Sequence, residues 1–127
     1  MNRRDFLILT AGATALPLAA QAAPLDYTPG LAAKHLAAGD TVFLDFKADW
    51  CSTCAAQERV INALKAGNPA YEQNITFINV DWDAHARSDL SKSLKIPRRS
   101  TLVALKGDQE LGRIVAQTSE SQIKALM

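Results

Sequence analysis

Cys51 and Cys54 are the only two cysteines in this 127-residue chain, and three positions separate them. They sit in Asp49-Trp50-Cys51-Ser52-Thr53-Cys54, between an apolar, β-rich stretch opening at Thr41 and a helical stretch running on from Ala55. Strand, short turn, then a helix whose start carries the first cysteine is a setting that activates a thiol. Unpaired backbone N–H groups and the positive end of the helix dipole stabilise a thiolate there. The second cysteine lies one helical turn on, so the two sulfurs can meet and close a small disulfide. Two other readings fit the bare pair: inert buried cysteines, or half of a metal site. A complete zinc site needs further ligands, and His35 and His85 stand at no ligand-like spacing from the cysteines.

The stretch Phe43-Leu44-Asp45-Phe46-Lys47-Ala48-Asp49-Trp50-Cys51-Ser52-Thr53-Cys54 resembles the active-site segment of the thioredoxin family. In that family an aspartate precedes the first cysteine by six positions and a tryptophan adjoins it. The Ala-Asp-Trp-Cys run is similar to the thioredoxin-like domains of periplasmic disulfide-interchange proteins, and the resemblance extends from about Leu31 to the C-terminus. It implies a thioredoxin fold and thiol–disulfide oxidoreductase chemistry, with no organic cofactor because the cysteine pair carries the electrons. Cys51 is then the nucleophile that forms a mixed disulfide, and Cys54 the thiol that resolves it. Partners are protein disulfides, with reduction favoured over oxidation, and a membrane electron donor is implied if the protein works in an oxidising periplasm. The alternative is a non-catalytic binding or metal-escort module using the same cysteine face.

Asp45 is flanked by Leu44 and Phe46, so its carboxyl is expected to be desolvated, raised in pKa and suited to exchange a proton with Cys54. The family resemblance places a buried acid at this position; the plainer alternative is a strand-end aspartate reaching water. Trp50 either covers the thiol and offers an apolar platform to a partner, or is simply a rim aromatic. Asp49 reads as a solvated charge, and Trp82, His35 and His85 as structural or surface residues. By the resemblance, Arg98-Arg99-Ser100 forms the loop opposite Cys51, which makes Arg99, Ser100 and Thr101 candidates for partner binding. Two departures from the family stand out. Ser100 occupies the usual cis-proline position, with Pro97 three residues earlier, so the bond before Ser100 is expected to be trans. Phe77 stands where a lysine near the buried acid is often found.

The elements that must hold these residues follow from local patterning. Pro24 to Gly30 reads as an extended lead-in, and Leu31 to Ala38 as a short helix stopped at Gly39. A buried strand opens at Thr41, and the helix after the cysteines runs to about Ala66, halted by Gly67-Asn68-Pro69. Ile75 to Val80 is a second strand, and Asp83 is the expected N-cap of a helix over Ala84 to Leu94. Ser100 to Leu105 and Glu110 to Val115 predict a hairpin across the Lys106–Gln109 turn. Thr118 or Ser119 caps a final helix, with Ser119 and Gln122 spaced as a capping box. Periodicity alone says a small α/β domain. With the resemblance, the order βαβ then ββα predicts a central mixed sheet flanked by helices.

An apolar share of 48% permits a real core, and the length suits one domain. A formal net charge of +1, with no basic stripe, argues against nucleic acid or an anionic membrane as partner. The first residues carry Arg3-Arg4, an apolar run through Leu18 and a small-x-small signature at Ala20-Gln21-Ala22. Arg-Arg-Asp-Phe-Leu resembles a twin-arginine export signal, so residues 1–22 are expected to be a signal peptide and 23–127 the folded domain, delivered to the periplasm as a monomer. An ordinary secretory signal or an uncleaved inner-membrane anchor are the alternatives.

Overall fold

A computed structural model describes residues 23–127; the expected signal peptide lies outside the described residues. The elements are β1 (Leu25–Asp26), α1 (Leu31–Ala37), β2 (Thr41–Lys47), α2 (Ser52–Gly67), α3 (Ala70–Asn74), β3 (Ile75–Asp81), α4 (Trp82–His85), α5 (Asp89–Ser93), β4 (Thr101–Lys106), β5 (Gln109–Val115) and α6 (Glu120–Leu126). They build a five-stranded sheet in the order β1-β3-β2-β4-β5. β2 pairs parallel with β3 and antiparallel with β4, and β4 with β5 forms the expected hairpin. This mixed sheet between helices is the thioredoxin fold.

The central strand β2 shows why both faces must be covered. Its alternate residues Val42, Leu44 and Phe46 join the core beneath α1, with Ile78, Val80 and Val103. The intervening Phe43 joins the opposite core with Ile61 of α2, Phe77, Leu102 and Ile123 of α6. Strict period-two alternation therefore sends Asp45 to the same side as Phe43, toward α2. The residue suspected of acid–base work is thus set against the helix that carries the cysteines.

Two local expectations are extended and one is corrected. The lead-in contributes a two-residue strand, β1, parallel to β3 through Leu25 opposite Ile78. Beyond Gly67-Asn68-Pro69 the chain makes a further short helix, α3, whose first N–H groups include Ala70, donating to Asn68 Oδ1 at 3.1 Å. The single helix expected from Asp83 is two helices, and Asp81 rather than Asp83 caps the first, accepting from the Asp83 N–H at 3.0 Å. The break has a physical cause in two serines. Ser88 caps α5 by accepting from the Ser91 N–H, and the buried Ser91 hydroxyl donates to the His85 carbonyl at 2.7 Å. α5 then closes with Lys95 at φ 54, where the Ile96 N–H reaches back to the Ser91 carbonyl. The final helix follows expectation: Ser119 is its N-cap and accepts from the Gln122 N–H.

Candidate active site

β2 delivers the chain to a turn in which the Cys51 N–H donates to the Ala48 carbonyl at 3.1 Å. Cys51 is itself the N-cap of the 16-residue helix α2, in extended conformation, and its sulfur accepts from the Cys54 N–H at 3.1 Å. A cysteine here does what serine or aspartate does at other caps, with sulfur as the acceptor. The N–H that would stabilise a Cys51 thiolate is therefore already aimed at it. Cys51 and Cys54 form a disulfide, with Cα atoms 5.2 Å apart. Both are buried, Cys51 at 5% exposure and Cys54 at 1%, so what access there is falls to Cys51.

Ser100 closes the site from the other side. Antiparallel pairing puts Thr101 opposite Phe46, so the residue just before β4 lies beside the end of β2. The Ser100 N–H donates to the Phe46 carbonyl at 2.7 Å, and its peptide bond is trans. Its side chain was expected to meet a partner. Instead it is wholly buried, with Oγ 3.2 Å from each sulfur. Thr101 is likewise buried and donates its hydroxyl to the Arg98 carbonyl at 2.7 Å, which leaves it no surface for a partner. Gln57, a residue the sequence reading passed over, holds this loop: its amide donates to the Ser100 and Gln117 carbonyls, both at 2.9 Å.

Trp50 is 61% exposed beside the disulfide. Its indole N–H donates to the Asp83 carboxylate at 3.0 and 3.2 Å, and the Arg99 guanidinium lies 4.4 Å over its ring. Arg98 turns back on the loop, donating from Nε to the Arg99 carbonyl. Arg99 is thus engaged with the Trp50 ring beside the disulfide. Replacing Arg99 by alanine is expected to cost about 0.5–1 kcal/mol of stability from the lost cation–π contact. It should also free the ring, read as a changed tryptophan emission; an unchanged spectrum and unfolding midpoint would mean the stack has no energetic weight.

Asp45 is 5% exposed, with Oδ1 lacking a hydrogen-bond partner. Burial pushes its pKa from 3.8 up to about 7; Lys47 and Lys65 pull it down and Glu58 pushes it further up. The carboxyl faces a cavity of about 20 Å³ shared with Glu58 and Lys65, room for one water molecule. Glu58 also lines an outer crevice of about 80 Å³ that reaches Cys51 and Lys47, where Lys47 Nζ and Glu58 Oε2 pair at 3.0 Å. One carboxylate therefore borders both the buried acid and the cysteine's entrance.

Lys65 was missed by the sequence reading. It is buried, with Nζ 3.9 Å over the Phe77 ring and 3.7 Å from Glu72 Oε2. Burial lowers its pKa, while Glu72 and, less strongly, Asp45 hold the charge on. The cation absent from β3 at Phe77 is thus supplied to the same cavity by α2. A signal existed: the buried stripe Cys54, Gln57, Ile61 and Lys65 recurs at helical spacing on one face of α2. Of the histidines, His35 pairs with Asp40 at 2.8 Å and His85 packs edge-on against Tyr27. Among the described residues, no group of three or more His, Cys, Asp or Glu side chains is placed to hold a metal ion.

A rice (Oryza sativa subsp. japonica) protein named thioredoxin H2-1 is 29% identical over 85 residues, which are 67% of this chain; the match spans 57% of the rice protein's length. The crystal structure of Trxlp from Edwardsiella tarda superposes with a TM-score of 0.68 at 29% identity, covering 80% of this chain and 97% of that one. The thioredoxin Deadhead from Drosophila melanogaster shares the fold at a TM-score of 0.63 and 22% identity, over 82% of this chain and 94% of its own. The thioredoxin family model matches residues 31–127, which takes in every site residue described above. On its sequence, its fold and its cysteine pair at the start of α2, the chain belongs to the thioredoxin family.

Proposed function

We propose that this protein is an exported thiol–disulfide oxidoreductase that reduces disulfides in partner proteins. The observation carrying the proposal is Cys51 as N-cap of α2, its sulfur held by the Cys54 N–H and bonded to Cys54. Reduced, the pair holds two electrons. The Cys51 thiolate attacks a partner disulfide, forming a Cys51–partner bond and releasing one partner sulfur as thiolate. Cys54 then loses its proton to Asp45 and attacks the Cys51 sulfur. The second partner sulfur leaves with the electron pair, and the disulfide of this structure is formed. An acid with a pKa of about 7 can take and return that proton near neutral pH.

Trp50, with Arg99 stacked on it, supplies the exposed apolar surface beside the sulfurs on which a partner chain can rest. Export is supported by the twin-arginine-type run at Arg3-Arg4 and the small-x-small signature ending at Ala22. In an oxidising periplasm, reduction requires a continuing supply of electrons, so a membrane donor that re-reduces Cys51–Cys54 is part of the proposal.

The test combines a turnover assay on a protein disulfide, with a dithiol as electron source, and a measured reduction potential for residues 23–127. Turnover with a potential near those of dithiol reductants is expected. Absence of turnover, or a potential as oxidising as that of a disulfide-forming enzyme, would defeat the reductase assignment. Fractionation of cells expressing the full chain tests export: the protein should be periplasmic, and substitution of Arg3 and Arg4 by lysine should retain it in the cytoplasm.

A further inference from the structure

We propose that Ser100 is a further catalytic residue, whose hydroxyl donates a hydrogen bond to whichever of Cys51 and Cys54 bears the charge and changes sulfur as the exchange proceeds. The inference rests on the oxidoreductase reading above. Ser100 Oγ is 3.2 Å from Cys51 Sγ and 3.2 Å from Cys54 Sγ. In the disulfide neither sulfur carries a proton, so the hydroxyl must be the donor. It has one O–H, and so can be aimed at only one sulfur at a time.

The position is enforced rather than incidental. Ser100 is fully buried with φ 65, a left-handed conformation that a non-glycine residue keeps only when its surroundings impose it. Here its N–H is tied to Phe46, and its carbonyl accepts from Ala116 at 2.9 Å and from Gln57. Equal distances to the two sulfurs are what a donor shared between them needs. In the reduced protein the hydroxyl bonds the Cys51 thiolate. When Cys51 enters the mixed disulfide its charge is gone, and the hydroxyl turns to the Cys54 thiolate formed by proton loss to Asp45. It remains there until the Cys51–Cys54 bond closes and the partner sulfur leaves with the electron pair. Ser100 keeps its own proton throughout.

Ser100→Ala and Ser100→Gly test the proposal. Glycine suits φ 65 and keeps the loop even where alanine does not. Both leave in place the charged groups around the pair: Lys47, Asp49 and Glu58 in the crevice at Cys51, Asp45 on β2 and Arg99 on the loop. Ultraviolet thiolate absorbance of the reduced variants against pH should show the Cys51 midpoint raised by about one to two pH units. Resolution of a preformed mixed disulfide on Cys51 should slow about tenfold or more. A midpoint equal to wild type in both variants would overturn the proposal, as would a raised midpoint with unchanged resolution. A hydroxyl that only filled space would move the unfolding temperature and leave the midpoint alone. If wild type itself turns over no disulfide while the variants still raise the midpoint, the oxidoreductase reading fails and the bond to Cys51 stands.

Discussion

Cys51→Ser is expected to abolish turnover, while Cys54→Ser stops the reaction halfway with the partner covalently attached. The chain has two cysteines, so no third thiol can stand in for either. Cys51, at 5% exposure against 1% for Cys54, is the less buried of the two and stands as N-cap, where a thiolate is favoured, so it is the sulfur expected to meet a partner. In the Cys51→Ser variant turnover should fall to the uncatalysed background. The Cys54→Ser variant should instead give one equivalent of a stable mixed disulfide, since a serine hydroxyl cannot displace the partner sulfur. Intact-mass spectrometry after mixing with a disulfide substrate reads both results. In reduced wild-type protein, brief iodoacetamide treatment should label Cys51 first. A covalent adduct on Cys54 in the Cys51→Ser variant, or faster labelling of Cys54, would exchange the two roles.

Asp45→Asn is expected to raise stability at alkaline pH while slowing resolution of the mixed disulfide. Folding raises this carboxyl from 3.8 to about 7, so between those values the folded chain binds a proton that the unfolded chain has lost. Stability from this group is fully present below about pH 4, is lost as pH rises toward 7, and stays lost above it. The shift corresponds to about 4 kcal/mol at 1.36 kcal/mol per pH unit, which sets the ceiling on what Asn can recover. Part of that is offset, because an amide in a site where Oδ1 has no partner leaves its own polar atoms poorly satisfied. Urea unfolding at pH 5 and pH 9 should therefore show the variant gaining on wild type by a few kcal/mol between the two. In parallel, the rate of mixed-disulfide resolution should lose its inflection near neutral pH. A variant whose stability follows the wild-type pH dependence, with unchanged resolution, would show that Asp45 neither holds nor moves the proton.

Much of this architecture was legible in the chain because it depends on neighbours a few residues apart. The strand from Thr41 and the helix after Cys51 follow from apolar periodicity, and the stop at Gly67-Asn68-Pro69 and the Ser119 cap follow from turn and cap chemistry. Asp45 could be marked for burial because Leu44 and Phe46 flank it and a strand's period of two then sets its face. The split between α4 and α5 was hidden although it is local. Asp83 and Ser88 are both good caps, and only the Ser91 hydroxyl on the His85 carbonyl tells which break the chain takes. Lys65 was hidden for another reason. A lysine at a core-facing position of a helix is normally read as solvated, and its burial depends on Phe77 and Glu72 of other elements.

What only the tertiary structure decided is the far side of the site. Ser100 lies 49 positions from Cys51, and its place depends on the register that sets Thr101 opposite Phe46. Alternation in sequence specifies which face a residue takes, but strand register is set by packing over the whole sheet. The family resemblance brought the Arg98–Ser100 loop opposite the cysteines; it did not turn the hydroxyl inward between the sulfurs or lay Arg99 on Trp50. The cysteines and their buried acid are written in a dozen consecutive residues, Phe43 to Cys54, because one strand, one turn and one helix cap suffice to place them. The groups that face them come from β3, the loop before β4 and the far turns of α2, and their contacts exist only once the sheet has closed its register and α2 has docked on it.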